Sequence, residues 1–213
     1  MASLINEAAW VQNASSRPFQ VGPGPAPNPT ENEVVIKVAY AAVNPMDWKM
    51  QKMRLNYPFI FGTDVAGTVA QLGSKVTQFE LGQRVIGHCD GFLTQKSTNT
   101  GYQLYSTCNE NLVSPVPILI PLANAAVLPI SVDTAATALY IHIEVPFPSL
   151  VPVPTGKKIL IWGGASSVSS SAIQLAVLSG LEVVTTASKA NHEYVKSLDA
   201  SHVFDYKETT SIE

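Results

Sequence analysis

The stretch Lys158–Lys189, KILIWGGASSVSSSAIQLAVLSGLEVVTTASK, opens on an apolar, β-branched run from Ile159 to Trp162 and breaks at Gly163-Gly164. A helix-like run follows, then Gly180, then a second apolar run from Val183 to Ala187. This is the pattern of one βαβ unit entered through a Gly/Ser-rich turn, the local shape that holds a nucleotide pyrophosphate. Only 24 residues follow Lys189, so a doubly wound sheet has barely begun where the sequence stops.

A phosphate-cradling turn needs small residues. The chain must reverse sharply, backbone N–H groups must reach the phosphate, and the helix must pack close to its strand. Here the spacing is Gly163-x-x-Ser166-x-x-Ser169, with glycine at only the first of three positions. Serines there still offer backbone donors and hydroxyls, and a helix N-terminus adds positive potential. An ordinary strand–helix turn fits the same residues. At the end of the second strand an NAD site would place an acid for the ribose 2′-hydroxyl. This sequence instead reads Thr185-Thr186-Ala187-Ser188-Lys189, and Glu182 stands at the strand's beginning. Ser188 and Lys189 suit a 2′-phosphate and point to NADP(H); an incidental surface lysine is the alternative.

Composition narrows the classes. Hydrophobic residues make up 46% of the 213 and charged residues 14%, which favours buried structure over disorder. A net charge of −3 gives no pull toward nucleic acid or an anionic membrane, and neither is expected as a partner. Cys89 and Cys108 cannot build a disulfide framework, and the first residues, MASLINEAAW, lack a secretory pattern; a cytoplasmic location is expected. Two uncharged runs are long enough to span a bilayer. Leu112–Val132 carries four prolines and Ile159–Leu181 carries the Gly/Ser turn, so both read as buried structure. The four histidines and two cysteines are scattered, and no zinc site is expected.

Before Pro121 the pattern is β-rich. Glu33–Val43 alternates as a strand, and Val65–Leu72, Val85-Ile86 and Gly101–Thr107 read as others. Residues 18–29, PFQVGPGPAPNP, read as an extended loop. Short strands punctuated by glycine suggest a closed or partly closed barrel over residues 1–121. From 122 on, Leu122–Val127 and Val132–Ile143 read as helices, and a proline-studded connection, VPFPSLVPVPTG, leads into the βαβ unit. The helix of that unit carries Val168, Ala172, Leu175 and Ala176 on one face, with Ile173 and Leu178 beside it. Glu193–Leu198 reads as a helix and His202–Asp205 as a third strand, so residues 122–213 read as a partial Rossmann domain.

With those residues in view, the chain resembles the zinc-independent, quinone-reductase-like branch of the medium-chain dehydrogenases/reductases. The resemblance rests on Ala42–Lys49 (AVNPMDWK), Phe61–Gly67 (FGTDVAG), Leu81–Val85 (LGQRV), Leu128-Pro129, the βαβ unit and Val203–Tyr206 (VFDY). Zinc-dependent relatives carry a cysteine near Asn44 and Gly-His-Glu near Thr63-Asp64, and this sequence has neither. Within the branch, the proline-rich connector and Trp162-Gly163-Gly164 resemble fungal trans-acting enoyl reductases.

That resemblance implies an α/β plus β fold: a GroES-like β-barrel followed by an incomplete Rossmann domain. It implies NADPH-driven reduction of an α,β-unsaturated acyl thioester, small or carrier-bound, in polyketide or secondary-metabolite biosynthesis, with a polyketide synthase as partner. A quinone or alkenal reductase, or a non-catalytic remnant that binds nucleotide at most, are the alternatives. By matching positions, Met46, Asp47, Trp48 and Lys49 would lie beside the nicotinamide and ribose, and Thr134 near the nicotinamide and substrate. Ala165, Ser166, Ser167, Val168 and Ser169 would cradle the pyrophosphate. Ser188, Lys189, Ala190, Asn191 and Tyr206 would surround the adenosine phosphate. Lys49 is the candidate catalytic group near the charge that develops on the substrate; binding ribose alone is its other reading.

Three departures from the family pattern stand out. Ser169 takes the place of the glycine that lets helix and strand approach; its Cβ need not be fatal but could push the helix outward and loosen phosphate contacts. Gln83 takes the place of an Asp in the barrel turn, with a small effect expected. The chain also stops after the third Rossmann strand. An unpaired first-strand edge and an open nicotinamide wall are then expected to leave this polypeptide unstable or inactive unless another chain supplies the rest.

Overall fold

The computed structural model describes residues 4–53 and 56–208. Contacts divide the chain into two compact units, Met1–Pro129 and Ile130–Glu213.

The first unit is antiparallel β. Its strands are β1 (Glu7–Val11), β2 (Gln20–Pro23), β3 (Glu33–Ala42), β4 (Phe59–Ile60), β5 (Asp64–Leu72), β6 (Arg84–His88), β7 (Tyr105–Asn109) and β8 (Val113–Pro115). They form a five-stranded sheet in the order β7-β3-β5-β6-β8 and a three-stranded sheet in the order β2-β1-β4. The larger sheet curls into a half-barrel whose core is Val34, Ile36, Val65, Val69, Val85, Cys89 and Cys108. Alternation in β3 accounts for Val34 and Ile36 on that face. A smaller aromatic cluster, Val11, Phe59 and Phe61 with Phe19 and Phe92 against it, fills the space beside the second sheet.

Two short helices interrupt the strands, α1 (Pro45–Met50) and α2 (Gly91–Thr94), and α3 (Leu122–Ala125) packs on β3, β5 and β6. That packing carries the first unit past Pro121 to Pro129. Four short strands, β1, β2, β4 and β8, arise where no strand is expected from the sequence. β2 lies inside the Pro/Gly-rich segment 18–29, paired to β1 through Ala9↔Val21 and Trp10↔Gln20. The segment expected as a strand over Gly101–Thr107 pairs as one only from Tyr105 on.

The second unit opens with α4 (Pro129–Ala136), which runs into a π-helical turn, Thr137–His142. The helical run Leu122–His142 is long and apolar enough to cross a membrane by length and composition, with a mean hydropathy of 1.4. Then come β9 (Lys158–Ile161), α5 (Ser167–Leu178), β10 (Glu182–Thr186), a 3-10 turn at Lys189–Asn191, α6 (His192–Lys196) and β11 (His202–Phe204). The strands are parallel in the order β11-β10-β9. Ile173 and Ala176 of α5 are fully buried against Ile161, Val183 and Val195. The inward face of α5 is thus centred on Ile173 and Ala176, with Ala172 and Leu175 at its flank.

Candidate functional site: a dinucleotide turn and an inverted helix

In the second unit, the turn between β9 and α5 is built by Thr186. Its Oγ1 accepts from the Gly163 N–H at 3.0 Å and its carbonyl from the Gly164 N–H at 2.8 Å. Gly163 takes a left-handed φ of +73°, and a Cβ there would point into open space. Gly164 is the close-approach position: a Cβ would collide with Thr185 Oγ1 and press on Ile173. Ser166 caps α5, its Oγ accepting from the Ser169 N–H at 3.3 Å and donating to Ser169 Oγ at 2.9 Å. The Ser170 N–H goes to the Ser166 carbonyl at 2.8 Å. The N–H groups of Ala165, Ser167 and Val168 make no hydrogen bond among the described residues. Those three donors, at the positive end of a 12-residue helix beside an open glycine, suit a phosphate.

Ser169 stands at the third position of this turn, where the sequence places a Cβ in the path of helix–strand packing. Its side chain turns toward Ser166, and the close contact between helix and strand is made at Gly164. Two further groups brace the turn. Tyr194 Oη donates to Ser170 Oγ at 3.1 Å, and Ser170 Oγ donates to the Gly164 carbonyl at 3.2 Å. Thr186, Ser170 and Tyr194 were not among the residues singled out from the sequence. The doubled Thr185-Thr186 at the strand end was the available signal.

The other residues expected around a nucleotide lie at the same end of the sheet. β9, β10 and β11 run parallel, so the Gly163–Ser169 turn, the Ser188–Asn191 turn and Asp205-Tyr206 all follow carboxyl strand ends. The Ala187 N–H donates to the Phe204 carbonyl at 2.9 Å and fixes the second against the third. Ser188 Oγ accepts from Asn191 Nδ2 at 3.1 Å. Lys189 and Ala190 are exposed, and Lys189 has no ion-pair partner among the described residues. Tyr206 is 44% exposed. Glu182 is at the opposite end, held by Lys158 at 2.7 Å and His202 at 3.2 Å; the Lys158 ammonium lowers its pKa. Thr134 is exposed on α4.

Met46, Asp47, Trp48 and Lys49 belong to the first unit, on α1. This helix is inverted in polarity. Its buried positions are Asp47 and, at its C-cap, Gln51, 4% and 3% exposed, while Met46 and Trp48 are 43% and 52% exposed. Lys49 is exposed and sits 5.8 Å from the Trp48 ring centroid. The Asp47 carboxylate accepts from the Asn44 N–H at 2.8 Å, the Gly62 N–H at 3.2 Å and Tyr102 Oη at 2.8 Å. Burial raises its pKa against the pull of those donors, and burial with the nearby carboxylate raises the Tyr102 phenol. Asn44 Nδ2 reaches Thr63 Oγ1 at 3.2 Å and Asp64 Oδ2 at 3.0 Å. The exposed side of α1 thus carries an aromatic ring and a thioether with a cation beside them.

Cys89 and Cys108 are buried free thiols with their sulfurs 3.4 Å apart in the half-barrel core. Among the described residues no group of three or more His, Cys, Asp or Glu side chains is arranged to hold a metal ion.

Residues 30–121 match the alcohol dehydrogenase GroES-like domain. The whole chain is 66% identical over 216 residues to the trans-enoyl reductase himH of Aspergillus japonicus, covering 63% of it. An alcohol dehydrogenase superfamily protein from Novosphingobium aromaticivorans superposes with a TM-score of 0.80 at 28% identity, over 95% of this chain and 59% of that one. In sequence and fold the chain is similar to the medium-chain dehydrogenases/reductases. It spans about three fifths of the length of the curated relatives it matches (63%, 56% and 58% for three of them). A mycobacterial member of this fold solved as a complex with NADPH is 26% identical with a TM-score of 0.69, over 94% of this chain and 58% of that one.

Proposed function

We propose that this chain is a medium-chain dehydrogenase/reductase and serves NADPH-dependent enoyl reduction of an α,β-unsaturated acyl thioester, free or carrier-bound, in polyketide or secondary-metabolite biosynthesis in the cytoplasm. The observation that carries the reading is the turn at Gly163–Ser169. Its unpaired N–H groups share one sheet end with Ser188, Lys189, Asn191 and Tyr206. Ala165–Ser169 would receive the pyrophosphate, and Ser188–Asn191 with Tyr206 the adenosine and its 2′-phosphate. NADPH supplies the hydride when bound. On α1, Met46, Trp48 and Lys49 offer an apolar wall and a cation for the nicotinamide ribose and substrate, and Thr134 a hydroxyl. Asp47, whose carboxylate is committed to protein donors, holds that helix instead of meeting the ligand. No zinc is assigned to the site. A polyketide synthase is the partner this reading proposes, and the similarity to proteins named trans-enoyl reductases supports it.

Comparing an α,β-unsaturated acyl thioester with a quinone as NADPH-dependent acceptors tests the substrate class. Faster oxidation with the thioester is expected. Faster oxidation with the quinone replaces enoyl reduction by quinone reduction on the same scaffold.

A further inference from the structure

We infer that Asp47 and Tyr102 form a positioning pair that sets the roll of α1, so that Met46, Trp48 and Lys49 face outward. The inference rests on the reading above, in which α1 lines the reductase site. A six-residue helix cannot hold itself, and helices this short take their stability from tertiary contacts. An apolar stripe normally supplies those contacts. On α1 the buried side is polar, Asp47 within the helix and Gln51 at its C-cap one turn on, and the exposed side carries Met46 and Trp48. Apolar burial alone would roll the helix the other way.

Hydrogen bonds from separate segments oppose that roll. Gln51 Nε2 donates to the Ser16 carbonyl at 2.8 Å, and Tyr57 Oη donates to the Gln51 carbonyl at 2.7 Å. Asp47 takes one donor from its own helix start, one from Gly62 and one from Tyr102. The last two are already joined to each other: the Gly101 N–H donates to the Gly62 carbonyl and the Tyr102 N–H to the Phe61 carbonyl, both at 2.8 Å. A side chain at Gly62 would overlap the Tyr102 ring, so phenol and amide are presented together. Asp47 locks onto a receptor assembled without it. Charge-assisted hydrogen bonds are directional, and a buried carboxylate that loses one has no water to replace it.

The test uses Trp48 as reporter. Replacing Trp10 and Trp162 with Phe leaves it as the single tryptophan. In that background Tyr102→Phe is expected to change acrylamide quenching of Trp48 about twofold at temperatures where the protein is folded, and Asp47→Asn to do the same. Asp47→Glu, keeping the charge, is expected to recover part of the change. A lowered Tm with unchanged Trp48 quenching would overturn the inference, because a merely stabilising contact leaves the folded helix as it was. Hydrogen exchange on the unsubstituted protein covers the case in which Tyr102→Phe does not fold. The α1 amides are expected to exchange together with those of Gly62 and Tyr102. Exchange of α1 more than about tenfold faster than both contradicts a lock between them. Failure of the unsubstituted protein to bind NADPH sinks the functional reading and leaves both of these readouts intact.

Discussion

Gly164 shows how one atom governs the nucleotide turn. Its missing Cβ lets the turn lie on Thr185, whose Oγ1 is itself fixed by donating to the Ile161 carbonyl at 2.6 Å. Thr185 is fully buried and cannot swing aside cheaply. Gly164→Ala is therefore expected to cost about 1–3 kcal/mol in chemical denaturation, with Gly163→Ala less disruptive to packing. Glu33 makes a second residue-level statement, on pH. Burial pushes its pKa up, but donors from Thr30 and Asn99, helped by Lys96, outweigh that and leave it below its ordinary 4.5. A carboxyl lowered on folding contributes stability above its ordinary pKa and loses it as pH falls through the lowered one. Glu33→Gln is thus expected to destabilise by roughly 1 kcal/mol at neutral pH. Thermal melts against pH should show the gap to the unsubstituted protein closing below 4.5. A gap that stays constant with pH would mean that the charge of Glu33 does not matter. Gln83 was the departure expected to matter little. Its amide oxygen accepts from the Glu80 N–H at 2.9 Å, which is what a shorter acid could do in the same turn.

Among elements, α5 is the one the sequence defines best. It starts at the Ser166 cap and stops at Gly180 in a motif with the Gly180 N–H on the Val177 carbonyl and the Leu181 N–H on the Ala176 carbonyl. Gly180 has a φ of +79°, and a side chain there would strike the Val153 carbonyl. Gly180→Ala is expected to cost roughly 2 kcal/mol or more, read as a lower Tm, from left-handed strain and the backbone clash together. A neutral outcome would mean that the 153–155 segment yields. The βαβ unit was legible because its apolar runs, cap and glycine agree at every level. α1 was not, because its inward residues are Asp47 and Gln51 and hydrophobic periodicity reads such a helix as a loop. β2 was hidden for a related reason. Its own Pro23 and its neighbours Pro18 and Gly24 carry turn signals, and its pairing to β1 is a tertiary fact that no local pattern contains. The π turn at Thr137–His142 reads as plain helix in sequence, since both periods keep Leu139 inside.

At the level of the whole molecule, the proposed site draws on both units: free backbone N–H groups at a helix start in one, an outward aromatic and cationic helix in the other. Both stretches stand out in the sequence because AVNPMDWK and WGGASSVSS are contiguous. What they could not supply was the bracing from Thr186, Tyr194 and Tyr102, residues that come close only through folding. The account turns on the bend at Gly163–Ser169 receiving a dinucleotide whose 2′-phosphate meets Lys189. Isothermal titration of the chain with NADPH and with NADH, before and after Lys189→Ala, measures this directly. NADPH is expected to bind about tenfold or more tightly than NADH, a difference of about 1.4 kcal/mol, and Lys189→Ala is expected to erase that preference. Equal affinity for the two nucleotides, or a preference that survives without Lys189, would contradict it.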